Sequence, residues 1–269
     1  MSQPSPHDPT GIDAYAPAMI AQRIETAGVA KAALPTIPLL TLGVLAGAFI
    51  AFGGMFYLVA ITESGMGFGP TRVLGGLVFS LGLVLVVVGG AELFTGNNLI
   101  VMGWAHSKVS TGGLLRNWAL AYVGNFVGAV MMAWMAWQAG LLGLADGALG
   151  DRAIAIARAK TELPFETALV RGILCNVLVC LAVWLCFAAR SAASKILCIV
   201  FPITAFVALG FEHSIANMFF IPLGLFAGAD GVTIGGFIHN LIPVTIGNVI
   251  GGGVLVAMSY YLIYLRGKP

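Results

Sequence analysis

The chain has 269 residues, 59% of them hydrophobic and only 9% charged, with a mean hydropathy of +0.98. Soluble domains are about a quarter charged, so this composition excludes a soluble globular protein and points to an integral membrane protein. A net charge of +2 without a basic cluster gives no footing for nucleic acid.

Residues 1–13 are polar, contain Pro4, Pro6 and Pro9, and lack the basic-then-apolar form of a signal peptide. This tail is expected to stay on the side where it was made. Over residues 14–33, Ala16, Ile20, Ile24 and Ala27 follow helical spacing along one face, with Gln22, Glu25 and Thr26 opposite. That pattern predicts a weakly amphipathic helix lying at the inner membrane interface.

Residues 34–266 form the predicted membrane domain, followed by a tail at 267–269. A helix needs about 20 apolar residues to cross the hydrocarbon core. By that length rule six crossings are expected, at 36–60, 72–106, 114–142, 166–190, 195–226 and 237–265. The segment 143–165 is an outer loop in this reading. The second and fifth crossings are long and interrupted by Glu92 and Glu212 beside small residues, which predicts two half-helices in each. With both termini inside, the inner side holds Arg23, Lys31, Lys108, Arg116, Arg190, Lys195, Arg266 and Lys268. The outer side holds Arg72, Arg152, Arg158, Lys160 and Arg171, an inward bias of positive charge that favours a cytoplasmic N-terminus. Cys175, Cys180, Cys186 and Cys198 lie in apolar runs without C-x-x-C spacing and act as small hydrophobes.

The chain also resembles itself. Glu92 to Asn97 matches Glu212 to Asn217 at both ends. Arg116-Asn117-x6-Gly124-Asn125-x2-Gly128 matches His239-Asn240-x6-Gly247-Asn248-x2-Gly251, and GVLAGAFIA from Gly43 faintly matches GILCNVLVC from Gly172. Three crossings separate the copies, so the halves, approximately 36–142 and 166–265, must insert in opposite directions. Inverted repeats with broken helices are a recurrent transporter plan, with the site where the repeats meet. In this alignment His213 stands opposite Leu93 and Asn176 opposite Gly47. Only the second half carries that polar pair.

Ionisable groups at bilayer depth are costly and mark transport paths, which makes His213, in GFEHSIANMFFIPLG, the principal candidate. Asn176, in the middle of the fourth crossing, is expected to fix the imidazole tautomer or to bond between helices. The repeat-related Glu92 and Glu212, with Asn97 and Asn217, are expected to hold the two breaks. Thr95 follows the first break in Thr95-Gly96-Asn97-Asn98, whose donors can replace an anion's water or serve as a local cap. Lys160 is either a solvated charge or, with Arg152 and Arg158, part of an anion-concentrating field, blunted by Asp146, Asp151, Glu162 and Glu166. His7, His106, His213 and His239 lack metal-ligand spacing, so neither metal nor cofactor is expected.

On ELFTGNNL, RGILCNVLVCLAVW, GFEHSIANMFFIPLG and the two Gly-Asn-x-x-Gly segments, the chain resembles the formate/nitrite transporter family, most closely its formate channels, from about residue 14 to 266. The resemblance implies an all-α integral membrane protein with an aquaporin-like fold of six helices, forming a homopentamer with one pore per protomer. Its setting would be the bacterial cytoplasmic (inner) membrane, both termini cytoplasmic. By the same resemblance His213 is the central pore histidine, Asn176 its hydrogen-bond partner and Thr95 part of a mobile gating loop. Phe79, Leu83, Phe94, Val179 and Phe206 form the two pore constrictions, and Lys160 attracts anions at the outer vestibule. After Thr95 this chain has Gly-Asn-Asn, where the formate channels have small hydroxyl residues.

The implied function is a channel for small anions of weak acids, formate above all, with nitrite and hydrosulfide as alternatives in the same family. Desolvating such an ion costs several kcal/mol even after relaxation. Protonation within the pore at His213 removes most of that barrier, so protons and membrane lipid join the anion as partners. Passage as an anion past donors His213 and Thr95 is the alternative mechanism. A membrane-embedded metal enzyme built from Glu92, Glu212, His213 and His239 is the alternative from another class. A cation or neutral-solute channel is disfavoured because no acidic ring is evident.

Overall fold

The computed structural model describes residues 14–267, so the 1–13 tail and residues 268–269 lie outside the described residues. The first half contains α1 (Pro17–Ala32), α2 (Thr36–Ile61), α3 (Phe68–Phe79), α4 (Leu81–Gly89), α5 (Phe94–Asn97), a 3-10 turn (Asn98–Ile100), α6 (Val101–Ala105) and α7 (Thr111–Gln138). The second contains α8 (Ala148–Thr161), α9 (Phe165–Ala188), α10 (Ala192–Leu209), α11 (Ser214–Phe226), α12 (Ile234–Val249), a π-helical stretch (Ile250–Met258) and α13 (Ser259–Tyr264). Thr36–Ile61, Phe68–Gly89, Thr111–Gln138, Phe165–Ala188, Ala192–Leu209 and Ile234–Tyr264 are long and apolar enough to cross a membrane. The shorter apolar helix α11 follows the fifth of them. The protein is an all-α membrane protein with six spanning helices.

Both long crossings break where an acid interrupts them. The chain leaves α4 through Gly90, at φ 87°, and leaves α10 through Gly210, at φ 75°. That left-handed conformation costs other residue types about 1–2 kcal/mol, which explains a glycine at each exit. Inside a bilayer the freed backbone groups need protein partners. Asn125 accepts from the Phe94 N–H (2.9 Å) and donates to the carbonyls of Gly43 (2.8 Å) and Glu92 (2.9 Å). Asn248 does the same work in the second half, for Ser214 N–H (2.9 Å), Gly172 (2.8 Å) and Glu212 (3.0 Å). The Gly-Asn-x-x-Gly repeat is thus the bracket that holds each break.

The glycines of that repeat bring backbones together. A methyl group at Gly128 would overlap the Val44 carbonyl, and one at Gly251 would overlap the Ile173 carbonyl. Small residues at such spacing let membrane helices touch along their main chains. The pairs α2 with α7 and α9 with α12 form in this way, and the breaks are anchored between them.

One sequence expectation changes. Residues 143–165, expected as a loop, contain α8, whose Leu149, Ala153 and Ala157 are buried. A methyl group on Gly224 of α11 would collide with Ala157. In the sequence the charges along α8 resemble those of a solvated loop, while two of its four buried residues are alanines. As α8 precedes α9, so α1 precedes α2, and the inverted repeat extends outward to include both short helices. In α1, Ile20 and Ile24 are buried, and so is Glu25, expected on the polar side. Its carboxylate is paired with Lys108 (2.8 Å) and with His106.

Candidate functional site

Each short helix brings a lysine to the break of its own half. Lys31, near the end of α1, donates to Glu92 (2.6 Å) and to Asn97 Oδ1 (3.1 Å). Asn97 Nδ2 donates to Glu92 (2.8 Å) and Asn117 (2.9 Å), and Asn117 returns to the Lys31 carbonyl (2.9 Å). Lys160, near the end of α8, donates to both oxygens of Glu212 (2.9 and 3.0 Å). Asn217 then bridges Glu212 (2.7 Å) and Asn240 (2.7 Å), and Asn240 closes on the Lys160 carbonyl (2.8 Å). These are two copies of one polar knot. The Glu92 and Glu212 side chains are 8% and 6% exposed, so each carboxylate depends on its lysine and asparagine for neutralisation.

His213 stands between the second knot and the rest of the protein. It is the N-cap of α11, and its Nδ1 accepts the Ala216 N–H (3.1 Å). A backbone N–H can only donate, so Nδ1 carries a lone pair and the ring proton sits on Nε2. Nε2 lies 3.0 Å from Thr95 Oγ1, across the two breaks. The neutral imidazole therefore presents an N–H to the one hydroxyl that the first break contributes. Phe206 stacks on the ring at 6.0 Å between centroids, and Phe206 and Phe79 meet edge to face at 5.8 Å.

Two cavities flank the breaks, His213 lining one of them and Thr95, fully buried, lining neither. The one beside α8, named outer for the side the charge bias assigns it, is about 210 Å³ and lined by Phe79, Phe206, Phe220, Lys160, Glu212 and His213 among others. The inner one, about 340 Å³, is lined by Leu83, Leu93, Gly96, Lys31, Glu92 and Asn97 among others. His213 faces the outer vestibule, and in the equivalent place Leu93 faces the inner one. The cavities reach the break from opposite sides, as an inverted repeat requires.

Several expected residues fall together here, and others do not. Phe79 and Phe206 line the outer vestibule and Leu83 the inner one. Phe94 and Val179 are buried but line neither; the Phe94 ring packs edge-on against Tyr122 (4.9 Å) and Trp118 (6.2 Å) of α7. Asn176, expected on the imidazole, lies elsewhere. Its Nδ2 reaches the carbonyls of Thr95 (3.2 Å) and Asn248 (2.7 Å) and the Oδ1 of Asn98 (2.7 Å). It holds segment 95–98 to α12 from behind, beside the π-helical stretch, while the α11 cap sets the tautomer. Lys160 lines the vestibule, but its ammonium is committed to Glu212 and only 15% exposed. Among the described residues no group of three or more His, Cys, Asp or Glu can hold a metal. Glu92, Glu212 and His213 have separate partners, and the exposed His239 belongs to neither knot.

Sequence reasoning missed Lys31, Asn98, Asn117 and Asn240 as working parts of the site. The signal for Lys31 was present, because Lys31 and Lys160 keep the same separation as Gly43 and Gly172. Asn117 and Asn240 stood in the repeat motif without an assigned task.

Comparison with known proteins adds four findings. Residues 18–262 match the family model described as formate/nitrite transporter. The chain is 43% identical over 273 residues to the formate channel FocA of Escherichia coli K12, covering 94% of this chain and 96% of that one. It is also 43% identical over 268 residues to a probable formate transporter of Methanothermobacter thermautotrophicus, covering 93% and 97%. Among solved structures, it is similar to one described as a pentameric formate channel with formate bound, at a TM-score of 0.80, 40% identity and 86% and 98% coverage.

Proposed function

This chain belongs to the formate/nitrite transporter family, and from that premise we propose that it carries formate across the bacterial cytoplasmic membrane as a homopentamer, with both termini cytoplasmic. The pentamer and the cargo rest on the relatives, several of which are formate channels by name. The orientation rests on the inward bias of positive charge. It is a transport protein of a transporter family, not an enzyme.

The observation that carries the mechanism is the His213 Nε2 to Thr95 Oγ1 contact, which joins the two breaks behind the outer vestibule that His213 lines. A formate ion arriving from the outer vestibule meets Phe79 and Phe206, whose rings offer it nothing in place of water. Nε2–H is the donor that meets it next. For proton transfer, the imidazole first takes a proton from a hydronium ion in the outer vestibule, leaving water, and then gives a proton to the carboxylate, returning to its neutral form. The neutral acid then passes the apolar inner side, where Leu83 and Leu93 exclude ions.

The alternative mechanism, passage as the anion, gains support from the cap. A second ring proton on Nδ1 would displace the Ala216 N–H from its acceptor. A histidine that stays neutral would serve only as a hydrogen-bond donor, in company with Thr95. Formate uptake into proteoliposomes at several imposed pH gradients separates the two. Uptake that rises with an inward proton gradient supports protonation, and uptake indifferent to the gradient supports anion passage. Running nitrite, hydrosulfide, acetate and lactate beside formate tests the cargo; preference for another of these would contradict formate.

A further inference from the structure

The outer vestibule needs a positive charge that Lys160 does not have to spare. The charged groups lining it are Arg72, Lys160, Arg171 and Glu212, and Lys160 and Glu212 cancel each other at hydrogen-bond distance. The unbalanced charge belongs to the two arginines. In the inner vestibule Lys31 and Glu92 are the lining charges, and they cancel. A cleft of one sign concentrates the opposite ion, so the outer vestibule with its two arginines draws anions more than the balanced inner one.

Of the two arginines, Arg72 is the one held in place. Its Nε donates to the Ala208 carbonyl (2.6 Å) and its Nη2 to the Val207 carbonyl (3.3 Å), at the C-terminal end of α10. The guanidinium lies beside Gly210, the exit of α10 that leads to Glu212 and His213, with the Phe68 ring 5.6 Å away. A side chain at Gly210 would take its space. The carbonyls occupy the Nε and Nη2 edge of the fork. The other edge, Nη1 with the second hydrogen of Nη2, has no hydrogen-bond partner among the described residues. That edge has the geometry that matches the two oxygens of a carboxylate.

We propose that Arg72 is the outer binding subsite for the small carboxylate, receiving it before it reaches His213, with Arg171 adding to the field. The proposal rests on the reading that the protein carries formate. Arg72 thereby joins two tasks, since the guanidinium that greets the anion also caps the helix leading to the break.

The test is binding of 13C-formate to the purified protein, followed by NMR, together with formate influx into right-side-out membrane vesicles at low and high salt. Arg72→Gln is expected to weaken binding and raise half-saturation about threefold to tenfold, and to flatten the salt dependence of influx. Arg72→Lys keeps the charge without the fork and is expected to fall between the two; it also serves if Arg72→Gln does not fold. Unchanged binding, half-saturation and salt dependence, with only stability reduced, would make Arg72 a helix cap and overturn the subsite. A parental protein that binds formate through Arg72 but does not carry it would contradict the transport reading and leave the subsite standing.

Discussion

At the first break Leu93 precedes a half-helix that its own side chain does not cap; at the second, His213 stands in the same place and caps α11. Around them the halves repeat each other: a lysine from a short helix, a glutamate at the break, and paired asparagines behind. The comparison teaches that the scaffold and the chemistry are separable. The polar knot and the asparagine bracket of each half hold a helix open within the membrane, and one difference between halves, Leu93 against His213, places a donor at the second break. A second difference lies in charge, because the outer vestibule keeps two arginines uncancelled while the inner one is balanced.

The equivalence of the knots can be broken most severely at the lysines. Lys160→Met leaves Glu212 buried without its counter-ion and is expected to cost about 3–5 kcal/mol, measured as a lower unfolding temperature in detergent. Lys31→Met is expected to cost less, because Lys31 is 32% exposed where Lys160 is 15%, and water can replace part of its contribution. Equal losses would show that burial does not set the difference.

The asparagine brackets give a stricter symmetry test. Asn125→Leu and Asn248→Leu each orphan one N–H and two carbonyls at a break. Each is expected to cost about 3 kcal/mol, at the upper end for buried groups left unpaired. A twofold disparity between them in unfolding free energy would mean that the halves are not energetically equivalent.

The smallest effect belongs to the contact that joins the halves. Thr95→Val removes the acceptor of the His213 N–H while keeping the shape, at a cost of about 1 kcal/mol. Stability should scarcely change, while formate flux should shift by several-fold. A loss of stability as large as that of Asn125→Leu would make Thr95 part of the bracket instead.

Much of this is legible in the amino-acid sequence, for a physical reason. A charge in an apolar run is costly, so Glu92, Glu212 and His213 announce the breaks and the site, and the repeat assigns the glutamates to the scaffold. The short helix α8 is not legible, since alanines on one face and charges on the other look much like a loop. The partner of Asn176 is not legible either, because a buried amide can satisfy any of several neighbouring carbonyls and only the fold selects among them. The sequence places Lys160 near the vestibule, yet its pairing with Glu212 transfers the free charge to Arg72 and Arg171, whose sequence neighbourhood gives no such signal. Phe94 shows the same limit. An aromatic beside a break can face the pore or the next helix, and here its ring meets Tyr122 and Trp118.

His213, with only Leu93 opposite it in the first half, is proposed to handle the proton that lets the anion pass. Formate uptake by proteoliposomes containing the parental protein or His213→Asn, with and without an inward proton gradient, tests it directly. The gradient is expected to accelerate parental uptake and the variant to lose this acceleration, with uptake about a hundredfold lower, the scale of a lost acid–base group. Variant uptake equal to the parent's, with the same response to the gradient, would contradict it.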